Sequence, residues 1–399
     1  MAGLECIILA GGMGTRLRSA VPDLPKCMAP VDGKPFLHYL IESLESAGFS
    51  HIILSLGYMH EAVEKWTGTL HLTARISTVV ENTPLGTGGG IRLALEEAEQ
   101  EDVFVLNGDT WTGVRYREML SAHRASGARA TLALKRMENF DRYGTVETRK
   151  EGGNTFISAF REKKRCDAGL INSGVYIFRK DALQSLPEAF SIESGFFAEE
   201  ASKGTLAAYE TDGFFLDIGI PEDYSRSQKI FSEGLYKPYD TLFLDRDGVI
   251  NRELTGTYVR NPSEFEFLPG VKDALRRMRP LFAKMVVVTN QRGVVKGLMT
   301  RDDLDMLHRW MREEIEEDGG KIDAVYCSLG MDCSDPMRKP NPGMILKYLE
   351  DRPQTDLSRC ILVGDKESDM ECAAKAGVRG IKVSPGFTLA DVADKLLEL

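Results

Sequence analysis

A chain of 399 residues is long for a single hydrophobic core and predicts two or more domains. Its 43% hydrophobic and 28% charged content is that of an ordinary globular protein, and no apolar run reaches membrane-spanning length. A net charge of -10 argues against broad binding to nucleic acid or anionic membranes, although a few local cations can still hold phosphorylated ligands.

The opening MAGLECIILAGG has no basic stretch ahead of its short apolar run, so it reads as a buried first strand rather than a signal peptide. Seven cysteines without framework spacing fit a reduced, cytoplasmic setting. Short apolar runs alternate with helical patterns through the whole chain, which predicts an α/β fold of parallel sheets covered by helices. The predicted strands are CIILA, HIILSLG, DVFVLNGD and ATLALK, then TLFLD, MVVVTN and CILVGD after position 240. Between the two series lies FSEGLYKPYD (231–240), which places the domains at 1–233 and 238–399.

CIILA runs directly into Gly11, Gly12, Met13, Gly14, Thr15 and Arg16. Glycines let backbone N–H groups approach phosphate oxygens, and a helix starting there would add its dipole. Arg16 and Lys26 bring two cations within reach of this loop, and Pro25 restrains the lysine. The run lacks the GK[ST] of a Walker A loop and is not a dinucleotide fingerprint. A second glycine-rich loop, Pro84 to Gly90, and the strand end Asn107-Gly108-Asp109 follow. Ligands of open α/β sheets sit beyond the carboxyl ends of strands, so Asp109 is placed to hold a metal; a turn or capping role is the plainer alternative. Asp217, in FFLDIGIP, is a carboxylate among apolar residues, where an unpaired charge is costly and a cation would satisfy it.

In the second half, Asp245 and Asp247 end the strand TLFLD and stand two residues apart. There Asp245 can face a phosphorus while Asp247 reaches the leaving oxygen. MVVVTN ends in Thr289 and Asn290, CILVGD ends in Asp365 with Lys366 and Asp369 beyond, and Arg338 and Lys339 open RKPNPGM. A hydroxyl, a lysine and a third carboxylate are what an aspartyl-phosphate mechanism requires.

With those residues in view, LAGGMGTRLR, PKCMAPVDGKP, PLGTGGG, LNGDT, FREK, LINSGVYIF and FLDIGIPEDY together resemble the nucleotidyltransferases that make nucleotide sugars, over residues 1–230. VPDLPKCMAPVDGKPFLHYL, DRYGTVE and DIGIPEDY look most similar to heptose-1-phosphate guanylyltransferases, with mannose-1-phosphate guanylyltransferases and short uridylyltransferases as near neighbours. The resemblance implies attack of a sugar 1-phosphate oxygen on the α-phosphorus of a nucleoside triphosphate, by positioning and charge neutralisation. It implies Gly11, Gly12, Gly14, Thr15, Arg16 and Lys26 at the triphosphate, and Glu81, Gly86 and Thr87 near base and ribose. Asp109 and Asp217 would hold Mg²⁺, and Gly144, Glu162, Lys163 and Asn172 would meet the sugar phosphate.

Residues 240–399 resemble the haloacid dehalogenase phosphatases, and FLDRDGVIN, VVVTNQRGV, RKPNPGM and VGDKESDM look most similar to the subgroup acting on heptose 1,7-bisphosphate or histidinol phosphate. The resemblance makes Asp245 the nucleophile, Asp247 the general acid and then base, and Thr289 and Lys339 the phosphoryl-binding pair. It places Mg²⁺ on Asp245, Asp365 and the Asp247 carbonyl, and substrate contacts on Asn290, Arg338 and Lys366. Relatives often carry a zinc loop before the RKP motif; here Cys327 and Cys333 remain, but Leu329, Asp335 and Met337 stand at ligand positions, so zinc is not expected. The short intervals between motifs leave no room for a large cap.

The fold class expected is therefore α/β with two Rossmann-like domains, a nucleotidyltransferase fold followed by a haloacid-dehalogenase-like fold. Expected ligands are GTP, heptose 1-phosphate and heptose 1,7-bisphosphate, with Mg²⁺ in both domains, no nucleic acid and no membrane; an oligomer is compatible with the sequence. One alternative pairs UTP or mannose 1-phosphate with a phosphatase of different substrate. Another makes one domain a regulatory module.

Overall fold

In the computed structural model, residues 3–12, 16–17, 20–254 and 256–397 are described; Gly14 and Thr15 of the first loop lie outside them. Two compact units divide the chain, Met1–Ser232 and Glu233–Leu399. The helix Pro221–Glu233 ends the first, and the strand Tyr239–Leu244 opens the second, so only a five-residue turn connects them. Among the described residues no helix is long and apolar enough to cross a membrane.

The first unit is built on a nine-stranded sheet. Its order is Arg75–Val80, Phe49–Leu56, Leu4–Leu9, Asp102–Asn107, Cys166–Arg179, Ala130–Phe140, Ala207–Thr211, Asn154–Phe160 and Thr145–Glu151. The first four strands are mutually parallel, as the alternation of strand and helix predicts. From Cys166–Arg179 outward the sheet is mixed, which corrects the expectation of a parallel sheet throughout. The reason is local: 130–179 runs as long strands joined by turns, with no crossover helix to bring the chain back for parallel pairing.

A second correction concerns the glycine-rich loop after Leu4–Leu9. Among the described residues no α-helix follows it; the next helical piece is the single 3₁₀ turn Lys26–Met28, and the first α-helix is Phe36–Ser46. Among the described residues, therefore, no helix N-terminus points at that loop. Its geometry comes from the neighbouring strand end: a Cβ on Gly11 would lie 3.1 Å from the Gly57 nitrogen, so the two loops meet backbone to backbone.

The second unit holds a five-stranded sheet ordered Ala324–Ser328, Phe282–Asn290, Tyr239–Leu244, Ile361–Gly364 and Arg379–Lys382, every pair parallel. Side chains alternate across each strand. Leu242, Leu244, Met285, Val287, Ile361 and Val363 enter one core; Phe243, Val286, Val288 and Leu362 enter the other. Both faces are covered, which is why these strands read as unbroken apolar runs. The segments following the first two strands in sequence reach only to the helices Val271–Met278 and Arg301–Glu317, so no large cap domain is inserted. Thr300 and Asp303 form a capping box that fixes the start of the latter helix.

Candidate active sites

In the first unit a short antiparallel ribbon decides the site. Thr110–Thr112 pairs with Phe215–Asp217, register Asp217 to Thr110. The carboxyl end of Asp102–Asn107 thereby comes against a segment a hundred residues downstream, and the Ile218 N–H donates to the Asp109 carbonyl at 3.0 Å. Lys26 reaches in from its 3₁₀ turn. Its ammonium pairs with Asp109 and lies 3.8 Å from Asp217 Oδ1. Burial and the Asp109 charge push the Asp217 carboxyl above its ordinary value, against the pull of Lys26, the Gly219 N–H and Arg16. A Cβ on Gly219 would sit 2.6 Å from both Lys26 Nζ and Asp217 Oδ1, so only glycine fits there without displacing the pair.

Two carboxylates sharing one lysine form an oxygen-rich site with negative charge to spare, which suits a divalent cation and, through it, phosphate. Lys26, Asp109 and Asp217 are thus brought together. Gly11 and Gly12 lie just beyond the neighbouring strand Leu4–Leu9, and a Cβ on Gly12 would meet nothing within 4 Å.

The expected base and ribose contacts stand at another strand end. Glu81 follows Arg75–Val80, and its Oε2 accepts from the Leu85 N–H at 3.1 Å, fixing the turn into the helix Gly86–Glu97. The glycines of that helix have a packing reason. Cβ atoms on Gly86, Gly88 and Gly89 would collide with the Phe190 carbonyl, the Phe190 ring and the Glu188 carbonyl, and one on Gly90 would strike Glu81. Thr87 Oγ1 accepts from the Ile192 N–H at 3.1 Å, so this hydroxyl secures the same contact.

The expected sugar-phosphate residues fall in two places. Gly144 lies against the Arg161 carbonyl, 2.4 Å from where its Cβ would be, and so adjoins the exposed loop of Glu162 and Lys163. Asn172 sits where the strand Cys166–Arg179 shifts register; its side chain caps the Gly174 N–H and donates to the Tyr176 hydroxyl, both at 3.1 Å. Gly174 in turn abuts Asn107, next to the Asp109 turn.

In the second unit the ends of three parallel strands, carrying Asp245, Thr289 and Lys366, and the loop that holds Arg338 and Lys339 line one cavity of about 620 Å³. Lys339 is buried and bridges Asp245 at 2.7 Å and Asp369 at 2.6 Å. Burial raises the Asp245 carboxyl to about 6, opposed by the Lys339 ammonium and assisted by the Asp369 charge. Carboxylate oxygens of Asp245, Asp365 and Asp369 lie within 4.8 Å of one another, and Asp365 Oδ1 is buried without a hydrogen-bond partner. Three converging carboxylates, one with an unpartnered buried oxygen, fit a divalent cation. Gly248 is pressed onto this centre, since a Cβ there would sit 2.4 Å from Asp365 Oδ2.

Asp247 accepts from Arg246, Asn251 and Gln291, and Gln291 also donates to Thr289 Oγ1 at 3.0 Å. Burial opposes its charge, but the Arg246 guanidinium and the two amides prevail and hold its carboxyl below the ordinary range. Asn290 pins the Lys339 backbone from both sides, accepting from its N–H at 3.1 Å and donating to its carbonyl at 3.2 Å. Arg338 lines the cavity and donates to the Gly330 carbonyl, while Lys366 pairs with Glu253 at 2.6 Å. Asp369, Arg246, Asn251 and Gln291 carry no assigned role in the sequence reading. Asp369 stands four residues past Asp365 at the start of a helix, a spacing that could have flagged it; the amides gave no such signal.

At the positions expected of a zinc loop, Asp335 accepts from Ser328 Oγ at 3.0 Å and from the Met337 N–H at 2.9 Å, and Met337 packs against the core. Cys327 is half-buried and Cys333 exposed.

Comparison with known proteins agrees with both halves. The family model described as nucleotidyl transferase matches residues 5–233, and one described as HAD-hydrolase-like matches 336–397. The chain is 45% identical over 228 residues to D-glycero-alpha-D-manno-heptose 1-phosphate guanylyltransferase of Aneurinibacillus thermoaerophilus, covering 57% of this chain and 97% of that one. Among solved structures, HddC from Yersinia pseudotuberculosis complexed with GMP-PN is 34% identical at a TM-score of 0.51, covering 57% of this chain and 99% of that one. D,D-heptose 1.7-bisphosphate phosphatase from B. bronchiseptica, complexed with magnesium and phosphate, is 30% identical at a TM-score of 0.36, over 40% of this chain and 98% of that one. The chain belongs to the nucleotidyl transferase family and carries behind that domain a haloacid-dehalogenase-like phosphatase, two enzymes in one polypeptide.

Proposed function

We propose that the chain performs two consecutive steps in the cytoplasm: it removes the 7-phosphate of D-glycero-D-manno-heptose 1,7-bisphosphate, then joins the resulting heptose 1-phosphate to GMP from GTP. The observation that carries this reading is the 45% identity to a heptose 1-phosphate guanylyltransferase along 97% of its length. The attached phosphatase would make that enzyme's substrate, which supports the choice of bisphosphate. Seven unpaired cysteines suit the compartment.

In the phosphatase step Asp245 attacks the 7-phosphorus and the P–O bond to C7 breaks. Asp247 is ionised in the free protein; the negative charge of the bound substrate phosphate raises its carboxyl so that it takes up a proton, gives it to the departing oxygen, and then takes one from the water that hydrolyses the aspartyl phosphate. Lys339 keeps Asp245 ionised despite burial and faces the phosphoryl oxygens with Thr289. Asp245, Asp365 and the Asp247 carbonyl would hold Mg²⁺, with Asp369 beside them, and the ion would neutralise phosphoryl charge. In the transfer step an oxygen of the 1-phosphate attacks the α-phosphorus of GTP, the α–β anhydride bond breaks and pyrophosphate leaves. Gly11, Gly12, Arg16 and Lys26 hold the triphosphate, and Asp109 and Asp217 would hold a second Mg²⁺. The C1–O bond is never broken, so an α-linked product requires the phosphatase to accept the α-anomer and spare its 1-phosphate.

The test is to incubate the purified chain with α-bisphosphate, GTP and Mg²⁺ while following phosphate, pyrophosphate and nucleotide sugar. GDP-heptose should appear only after phosphate release. Phosphate lost from C1, or efficient turnover with UTP but not GTP, would overturn the assignment.

The loop held by Asp335 and Met337 supports a phosphatase that works without structural zinc. Elemental analysis of protein purified without chelator should find well under one zinc per chain. Stoichiometric zinc whose removal lowers the melting temperature would show this part wrong.

A further inference from the structure

Arg246 is the largest fully buried side chain among the described residues, at 0% exposure. A buried guanidinium carries a heavy desolvation penalty unless its donors are used. Nε and Nη2 are used on one target. Nη2 lies 2.9 Å from both oxygens of Asp247 and Nε lies 3.3 Å from Oδ1. The remaining arm, Nη1, is 3.2 Å from His308 Nε2. His308 is itself buried, on the helix Arg301–Glu317, and burial together with the Arg246 charge lowers its imidazole to about 3, so the ring is neutral and accepts through Nε2. Asn251 and Gln291, each 0% exposed, complete the cage with donors at 2.9 Å and 2.8 Å to the two Asp247 oxygens.

We infer that Arg246, braced from behind by His308, is the positioning residue of the phosphatase: it fixes the Asp247 carboxyl in the orientation from which a proton reaches the leaving oxygen. The inference rests on Asp247 being the general acid. Three features argue for it over a plain structural ion pair. The pair joins adjacent residues, so it links no two elements and adds little to the fold. Its fork grips both carboxylate oxygens, which fixes rotation about the Cβ–Cγ bond as a single contact would not. And the guanidinium is held in turn by a residue from a different helix whose start is locked by the Thr300–Asp303 capping box. A base oriented by a second group, itself held by a third, is the arrangement positioned proton transfer requires.

Positioning of a general acid has a signature that loss of folding lacks. A sugar alcohol is a poor leaving group and needs the proton; p-nitrophenolate leaves without it. Arg246→Lys keeps the charge but loses the fork. Its kcat on the heptose bisphosphate should fall roughly 10²-fold, the scale of general acid catalysis, with KM little changed, while kcat on p-nitrophenyl phosphate falls less than about threefold. Equal losses on both substrates would overturn the inference. If Arg246→Lys does not fold by circular dichroism, the His308 pair decides. His308→Leu should show a smaller loss of the same selective kind and His308→Gln, which keeps an acceptor, should restore activity; equal loss with both substrates, or no rescue, counts against it. Asp247→Asn separates the two levels. Selective loss in that variant without selective loss in Arg246→Lys sinks only the positioning role, and no selective loss in Asp247→Asn sinks the general-acid assignment beneath it.

Discussion

Asp245→Asn should eliminate phosphate release, by roughly 10⁴-fold or more on the scale seen when a covalent nucleophile is lost, and leave nucleotidyl transfer near normal. The substitution is nearly isosteric, so it changes chemistry more than packing. Burial already opposes the Asp245 charge, and an amide carries none. Lys339 still has Asp369 at 2.6 Å, so the buried ammonium keeps a carboxylate partner. The fold should therefore survive, and the melting temperature is the control. The transferase residues Lys26, Asp109 and Asp217 all lie in the other compact unit. With the bisphosphate as substrate, GDP-heptose formation should stop; with heptose 1-phosphate supplied it should resume. Phosphate release retained by this variant would disprove the aspartyl-phosphate route.

What the sequence showed and what it hid follow from the range of the interactions. Strands buried on both faces announce themselves as continuous apolar runs, and the polar residue ending each run is on show, so Asp245, Thr289 and Asp365 are legible in the sequence alone. Lys339 was legible as a type but not as a bridge, because its partners are 94 residues before it and 30 after it. The donors around Asp247 were hidden for a related reason. Asn251 and Gln291 are ordinary loop residues by sequence, and only the return of two chain segments to one point turns them into ligands of a carboxylate. The mixed sheet of the first unit was missed because a parallel and an antiparallel strand share the same period; what separates them is the connection, and between 140 and 166 that connection is strand rather than helix. The glycines of PLGTGGG look like a phosphate cradle by composition, yet in the fold each one relieves a collision with Phe190, Glu188 or Glu81. Gly219 shows the converse, an ordinary glycine by sequence whose missing Cβ leaves room for the Lys26–Asp217 pair.

Lys26→Ala should cripple nucleotidyl transfer, roughly 10²–10³-fold in kcat, the scale for removing one preorganised charge from a transition state, with phosphate release unchanged. In the free protein Lys26 is the cation shared by Asp109 and Asp217, whose carboxyls otherwise face each other. Truncating it leaves the Asp109 charge on Asp217 uncompensated, and the Asp217 carboxyl, already raised by burial and by Asp109, rises further. A divalent cation would be drawn more strongly to that bare pair. The binding of the ion and the rate of transfer should therefore move in opposite directions: Mn²⁺ affinity of the variant, read by electron paramagnetic resonance with Asp245 and Asp365 both changed to Asn to silence the second site, should hold or rise while turnover collapses. That divergence identifies Lys26 as a group acting on the triphosphate and not only as a counter-ion for the carboxylates. If affinity and rate fall together, the lysine is a scaffold for the metal pair and its place at the triphosphate has to be given up.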